Sequence, residues 1–144
     1  VFGTPKLKPP AVAFGAIIDF TNYDLWAPSV RLVNPFTQVP YKAKAVPTPL
    51  NRRVPPTAEQ AAQGVEAGIQ QLVQAYGPDD VPFVCLQGIR EYHDHPAHSG
   101  DSWLLHRTTG AGTLHNLVTQ LYHYGTEHIV SYHVVINALV QAEI

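Results

Sequence analysis

Residues 57–77 read TAEQAAQGVEAGIQQLVQAYG, a stretch of helix-forming residues interrupted by Gly64 and Gly68. Thr57 suits a helix N-cap, with Glu59 and Gln60 in the first turn. Ala58, Ala61, Ala62, Val65, Ile69, Leu72, Val73 and Tyr76 recur at helical spacing, and Gln63, Glu66, Gln70 and Gln74 form the polar outer face. Gly77-Pro78 ends the pattern. The spacing predicts one long helix over 57–76. Gly64 and Gly68 oppose it, each costing about 1 kcal/mol relative to alanine inside a helix.

Upstream of this stretch the chain reads as strands. AVAFGAIIDF at 11–20 is apolar and partly β-branched, as a buried strand is. Residues 21–24 are turn-like, and SVRLV at 29–33 alternates as a half-buried strand does. Pro5, Pro9 and Pro10 make residues 1–10 an extended lead-in. Residues 34–56 hold six prolines and read as a loop with at most one short edge strand near Tyr41–Val46.

Downstream, VPFVCL at 81–86 reads as an inner strand broken by Gly88, and 90–101 as a polar, histidine-rich loop or strand. Trp103-Leu104-Leu105 is apolar again. Thr113, Leu114, Leu117, Val118, Leu121 and Tyr124 predict a second helix stopped by Gly125. The β-branched residues in 128–142 favour a last strand, although 138–142 also suits a helix. The expectation is a single α+β domain over 1–144, with a small, mainly antiparallel sheet and two principal helices.

Composition bounds the function. A chain of 144 residues, 45% hydrophobic, buries roughly two thirds of its unfolded surface. A formal net charge of −2 offers nothing to nucleic acid or an anionic membrane. No apolar run reaches the roughly 20 residues of a membrane span, and no basic-then-apolar leader opens the sequence. The single cysteine forbids an internal disulfide. Together these features give a cytoplasmic expectation, with no membrane and no nucleic-acid partner.

The chemistry gathers in CLQGIREYHDHPAHSGD, residues 85–101. All eight histidines lie at or beyond 93, and Cys85, Glu91, His93, His95 and His98 fall within fourteen residues. Thiolate, imidazole and carboxylate are the side chains that hold zinc, and a mixed set also suits iron, cobalt or nickel. An extended 91–95 puts Glu91, His93 and His95 on one side, with about 6.5 Å between successive same-face positions. Pro96 then turns His98 back, and Gly88 lets Cys85 fold over the site. Asp94 and Asp101 are candidate acceptors for imidazole N–H groups around the metal.

Bland readings compete. One cysteine on an apolar strand is usually a small buried hydrophobe. A histidine loop can instead be a hydrogen-bonded or pH-sensitive surface. His106, His115, His123, His128 and His133 are scattered and read as structural, and Asp101 with Arg107 as an ion pair. Gly110-Ala111-Gly112 is a flexible helix start, and no nucleophile elbow surrounds Ser99 or Ser102.

Cys85, Glu91, His93 and His95 spell C-x5-E-x-H-x-H. The pattern resembles a predicted metal-binding domain of bacteria and bacteriophages, named for its cysteine, glutamate and two histidines. NYDLWAPSVRLVNPFT at 22–37, PFVCLQGIREYHDHPAHSGDSWLLHR at 82–107 and GAGTLHNLVTQLYHYG at 110–125 are similar to that family too, so the likeness spans most of the chain. It implies a metal site on those four residues and, through gene neighbourhoods, a place beside bacterial ubiquitin-like conjugation. A second likeness is to the ubiquitin-conjugating enzyme (E2) fold, with His95-Pro96 at its His-Pro pair. Its nucleophile would fall near Trp103–Leu105, where there is no cysteine, which implies a partner-binding variant without thioester chemistry.

The leading expectation is therefore a non-catalytic zinc-binding accessory protein, or E2-like partner, of a ubiquitin-like pathway. Two alternatives stand. In a metal-dependent hydrolase, three ligands and a water would hold the ion, with Glu91 or Asp94 as general base. In a structural or phage assembly protein, the histidine loop would serve packing.

Overall fold

The β-branched and small residues of 11–19 form the central strand. In the computed structural model, which describes residues 1–133, β2 (Ala11–Asp19) is flanked by β1 (Phe2–Thr4) and β3 (Ser29–Val33) in a three-stranded antiparallel sheet. The β2–β3 register runs from Gly15 opposite Val33 to Asp19 opposite Ser29. The lead-in is thus partly a strand: Phe2 is buried and stacks on Phe14, ring centroids 4.8 Å apart.

The long helix expected over 57–76 is not formed. Thr57 does cap a helix, through a reciprocal pair in which its hydroxyl accepts from the Gln60 amide (3.2 Å) and the Gln60 side chain accepts from the Thr57 amide (2.9 Å). That helix, α1 (Ala58–Ala62), ends after one turn, and Gly64 takes φ +77°, a left-handed conformation that glycine adopts without strain. The chain then runs as β5 (Gly68–Gln71), antiparallel to β4 (Asn51–Val54), and as β6 (Val73–Gln74), antiparallel to β7 (Phe83–Val84).

The physical reason is burial. Three of the eight residues of the supposed apolar stripe are alanine, with little area to remove from water, and two of its larger members face solvent: Ile69 is 75% and Tyr76 78% exposed. Leu72 alone is fully buried, and its amide donates to the Leu50 carbonyl (2.9 Å). The Leu72 carbonyl accepts from the Cys85 amide (2.7 Å), so the backbone at Leu72 is paired on both sides with distant chain, as in a sheet and not in a helix. The strand in the proline-rich stretch accordingly falls at Asn51–Val54, whereas Ala43–Ala45, inside the expected 41–46 strand, is a 3-10 turn.

The second expected helix is present as α3 (Leu114–Gly125), capped by the Thr113 hydroxyl on the Asn116 amide. Leu117 and Leu121 are fully buried and join Phe14, Val30, Leu32, Leu50, Leu72, Val84 and Ile89 in one core. The architecture is α+β with antiparallel sheets, and one principal helix instead of two among the described residues. Residues 90–98, expected as loop or strand, form α2 (Arg90–Asp94) and a 3-10 turn at Pro96–His98. Residues 129–133 are not a strand, and the rest of the expected last strand lies outside the described residues. No helix among the described residues is long and apolar enough to cross a membrane.

Candidate functional site

Gly88 sets the geometry of the histidine segment. A Cβ at this position would stand 2.1 Å from the Ala111 carbonyl oxygen, so only glycine lets the chain pass there. The turn places Ile89 in the core and starts α2 against β3 and β7. Because 90–94 is helical, neighbouring odd positions do not share a side as they would in a strand. Glu91, His93 and His95 point three ways.

Glu91 faces β3. Its carboxylate accepts from the Ser29 hydroxyl and from the Val30 amide (3.3 Å). His93 lies between two backbone carbonyls, its Nδ1 2.8 Å from Asp101 O and its Nε2 2.8 Å from Gln87 O. Only the doubly protonated ring can donate to both. His95 leaves α2, stacks on Tyr76 (ring centroids 5.3 Å apart) and lies tilted against Phe83 (5.0 Å), while its Nδ1 accepts from the Ala97 amide (3.2 Å).

His98 does come back, as the proline turn implied. Its Nε2 lies 3.5 Å from Cys85 Sγ, and its ring stacks on Tyr92 with centroids 3.9 Å apart. Cys85 is 4% exposed; burial pushes its thiol up, and the Arg52 charge opposes that shift.

Asp101 anchors a second network. Its carboxylate accepts from the Tyr92 hydroxyl (2.6 Å) and the Gln87 amide (3.2 Å) and pairs with His106. The bond from Tyr92, followed by that from His106, pulls the Asp101 carboxyl down to about 2. Burial first, then the Asp101 bond, pushes Tyr92 up to about 12. The expected Asp101–Arg107 pair is not formed: Arg107 lies 3.5 Å from Asp24, and Asp101 turns to His106, which sequence reasoning set aside. Nothing in the spacing marks His106, because a 3-10 turn at Trp103–Leu105 carries it back. Asp94 is exposed and makes no side-chain hydrogen bond among the described residues.

The donor set fits a metal in part. Among the described residues no three Cys, His, Asp or Glu side chains form a ready ligand group. Glu91 and His93 are committed to other partners. Cys85 and His98 are not: an ion bound tetrahedrally to both at ordinary zinc bond lengths would separate sulfur and nitrogen by about 3.6 Å, against the 3.5 Å observed. The His95 and His98 ring centroids are 5.6 Å apart, and two imidazoles on one tetrahedral ion stand about 5 Å apart.

Residues 1–129 match the model of the Y4jH family, so the whole candidate site, Cys85 to His106, lies inside the matched region. The uncharacterized protein y4jH of Sinorhizobium fredii (strain NBRC 101917 / NGR234) is 42% identical over 132 residues, which cover 88% of this chain. The chain spans 64% of that relative's length, less than two thirds. With the match running from β1 to beyond the end of α3, the chain belongs to the Y4jH family.

Proposed function

We propose that this protein is a non-catalytic zinc-binding accessory protein whose metal site is nucleated by Cys85 and His98, with His95 as third ligand. The observation that carries the reading is the 3.5 Å separation of Cys85 Sγ and His98 Nε2, the edge of a tetrahedral site. Zinc would remove the thiol proton that burial otherwise holds in place. His95 would give up its contact with the Ala97 amide to offer a nitrogen. Glu91 and His93 would support the site from outside, holding α2 on β3 and on the 87–101 loop.

The likeness carried by Cys85, Glu91, His93 and His95 supports a place in a bacterial ubiquitin-like conjugation pathway, as a binding partner. Burial of Cys85 supports the absence of thioester chemistry, since a buried thiol with a raised pKa is a poor nucleophile.

The test is cobalt(II) substitution of untagged protein with elemental analysis. The expected result is one ion per chain and a thiolate-to-cobalt charge-transfer band. Cys85→Ser removes the band, and His98→Ala weakens binding by more than the roughly 10- to 100-fold that loss of a group behind a ligand costs. A metal-free protein that also fails to take up cobalt sinks the proposal.

A further inference from the structure

A cleft of about 470 Å³ opens beside α2, between the 25–27 loop and the 101–104 turn. Its volume lies within the roughly 300–1,000 Å³ of small-molecule sites. Its walls are preformed. Arg90 Nε donates to Ala27 O (2.9 Å) and Nη2 to Thr21 O (2.8 Å), fastening the 21–27 loop to α2. Trp103 Nε1 donates to Asp24 O (2.8 Å), fastening that loop to the opposite wall.

Two features of the cleft are unspent. Leu25, Trp26 and Leu104 line it with 67%, 53% and 64% of their surface exposed, a cluster of large apolar side chains that the core does not use. Arg90 and Asp94 line it too. They stand four residues apart on one face of α2, about 6 Å apart at Cβ, yet no ion pair joins them or engages either with another described residue. Two backbone contacts hold the Arg90 guanidinium in place and leave its Nη1 edge free for a carboxylate.

We propose that this cleft binds an apolar α-amino acid as its zwitterion. The carboxylate lies on the Arg90 fork and the ammonium beside Asp94. The side chain covers Trp26 and Leu104. Arg90 and Asp94 offer a partner to each charged end of such a molecule, the other carboxylate of the lining, Asp101, being taken by Tyr92, Gln87 and His106, and neither a plain carboxylate nor a plain amine would satisfy both. His98 lines this cleft as well as facing Cys85, so the titration below is made on the metal-free chain, where binding does not rest on zinc.

The experiment is isothermal titration calorimetry of the full chain with L-phenylalanine, L-leucine and L-tryptophan, and with phenylalaninamide and 3-phenylpropionate as analogues lacking one charge. The expected result is saturable binding of at least one free amino acid. Each single-charge analogue binds at least about tenfold more weakly, the loss typical of one charge-assisted hydrogen bond. Trp26→Ala, at an exposed position that leaves the fold intact, weakens all ligands. Asp94→Asn erases the preference for phenylalanine over 3-phenylpropionate. Absence of saturation by all three amino acids at millimolar concentration overturns the proposal, as does equal binding of phenylalanine and phenylalaninamide.

Discussion

Cys85 Sγ and His98 Nε2 meet at 3.5 Å across thirteen positions of sequence, joining the end of a core strand to a polar turn. If zinc closes this contact, its removal loosens both. Structural zinc supplies on the order of 10 kcal/mol of apparent binding free energy in small domains. Even a third of that lowers the unfolding midpoint of a chain this size by about ten degrees. Thermal unfolding of metal-loaded protein with and without a strong chelator measures the drop. A midpoint unmoved after verified metal loss excludes a structural role.

Glu91 is a strut in this structure, since both carboxylate oxygens are taken by Ser29 and Val30. Glu91→Ala leaves the Val30 amide and the Ser29 hydroxyl without their acceptor and costs about 1–3 kcal/mol. Metal stoichiometry in that variant stays at the wild-type level. Loss of metal without loss of stability would instead make Glu91 a ligand.

The Asp101–Tyr92 pair predicts stability limits at both ends of the pH scale. Asp101 is held at about 2, below its ordinary 3.8, so the folded state prefers the charged form. The associated stability is present above about 4 and is lost as pH falls toward 2. Tyr92 is raised from 10.0 to about 12, so the folded state prefers the neutral phenol. That stability is present below 10 and is lost as pH rises from 10 to 12. Denaturant midpoints across pH should show both limbs in wild type. In Tyr92→Phe the alkaline limb is weaker, keeping the part due to the raised Cys85 and Tyr41, and the acid limb is shallower.

Opposite outcomes at two neighbouring positions distinguish the strand from the helix over 57–76. Ile69 is 75% exposed on β5, so Ile69→Ser changes stability by less than about 0.5 kcal/mol. Leu72 is fully buried, so Leu72→Ala costs about 2–5 kcal/mol. Urea unfolding measures both. Equal, large losses would restore the long amphipathic helix.

Gly88→Ala forces a methyl group into the Ala111 carbonyl oxygen. Both neighbours there are backbone, so neither yields without moving the start of α2 or of α3. The expected cost is about 3 kcal/mol or more, seen as a midpoint about ten degrees lower. A variant as stable as wild type would mean that the two loops do not touch.

Periodicity and capping were legible in the sequence where a single signal acted unopposed. Thr113 and the Leu117/Leu121 spacing announce α3, and β-branching announces β2 and β3. Thr57 announced a helix start correctly, but its length was not legible, because alanines at helical spacing fit a helix without requiring one. The histidine segment failed for the opposite reason. Short and polar, it has no apolar period to reveal a one-turn helix, and a two-residue repeat of ligands suggested a strand.

Side-chain period, composition and the stop at Gly125 make an α+β chain with antiparallel strands and a helix in the C-terminal half readable from the sequence, which also gathers cysteine, histidine and carboxylate side chains in 85–101. Those features follow from local side-chain period, capping and composition, which need no distant partner. Which donors meet depends on packing between distant parts of the chain. Gly88 passing under Ala111 and the helical turn at 90–94 send Glu91 to Ser29 and His93 to two carbonyls, and leave Cys85 facing His98. The physical reason is that a side chain's direction depends on the backbone conformation of its own turn and on what packs against it, and spacing along the chain fixes neither.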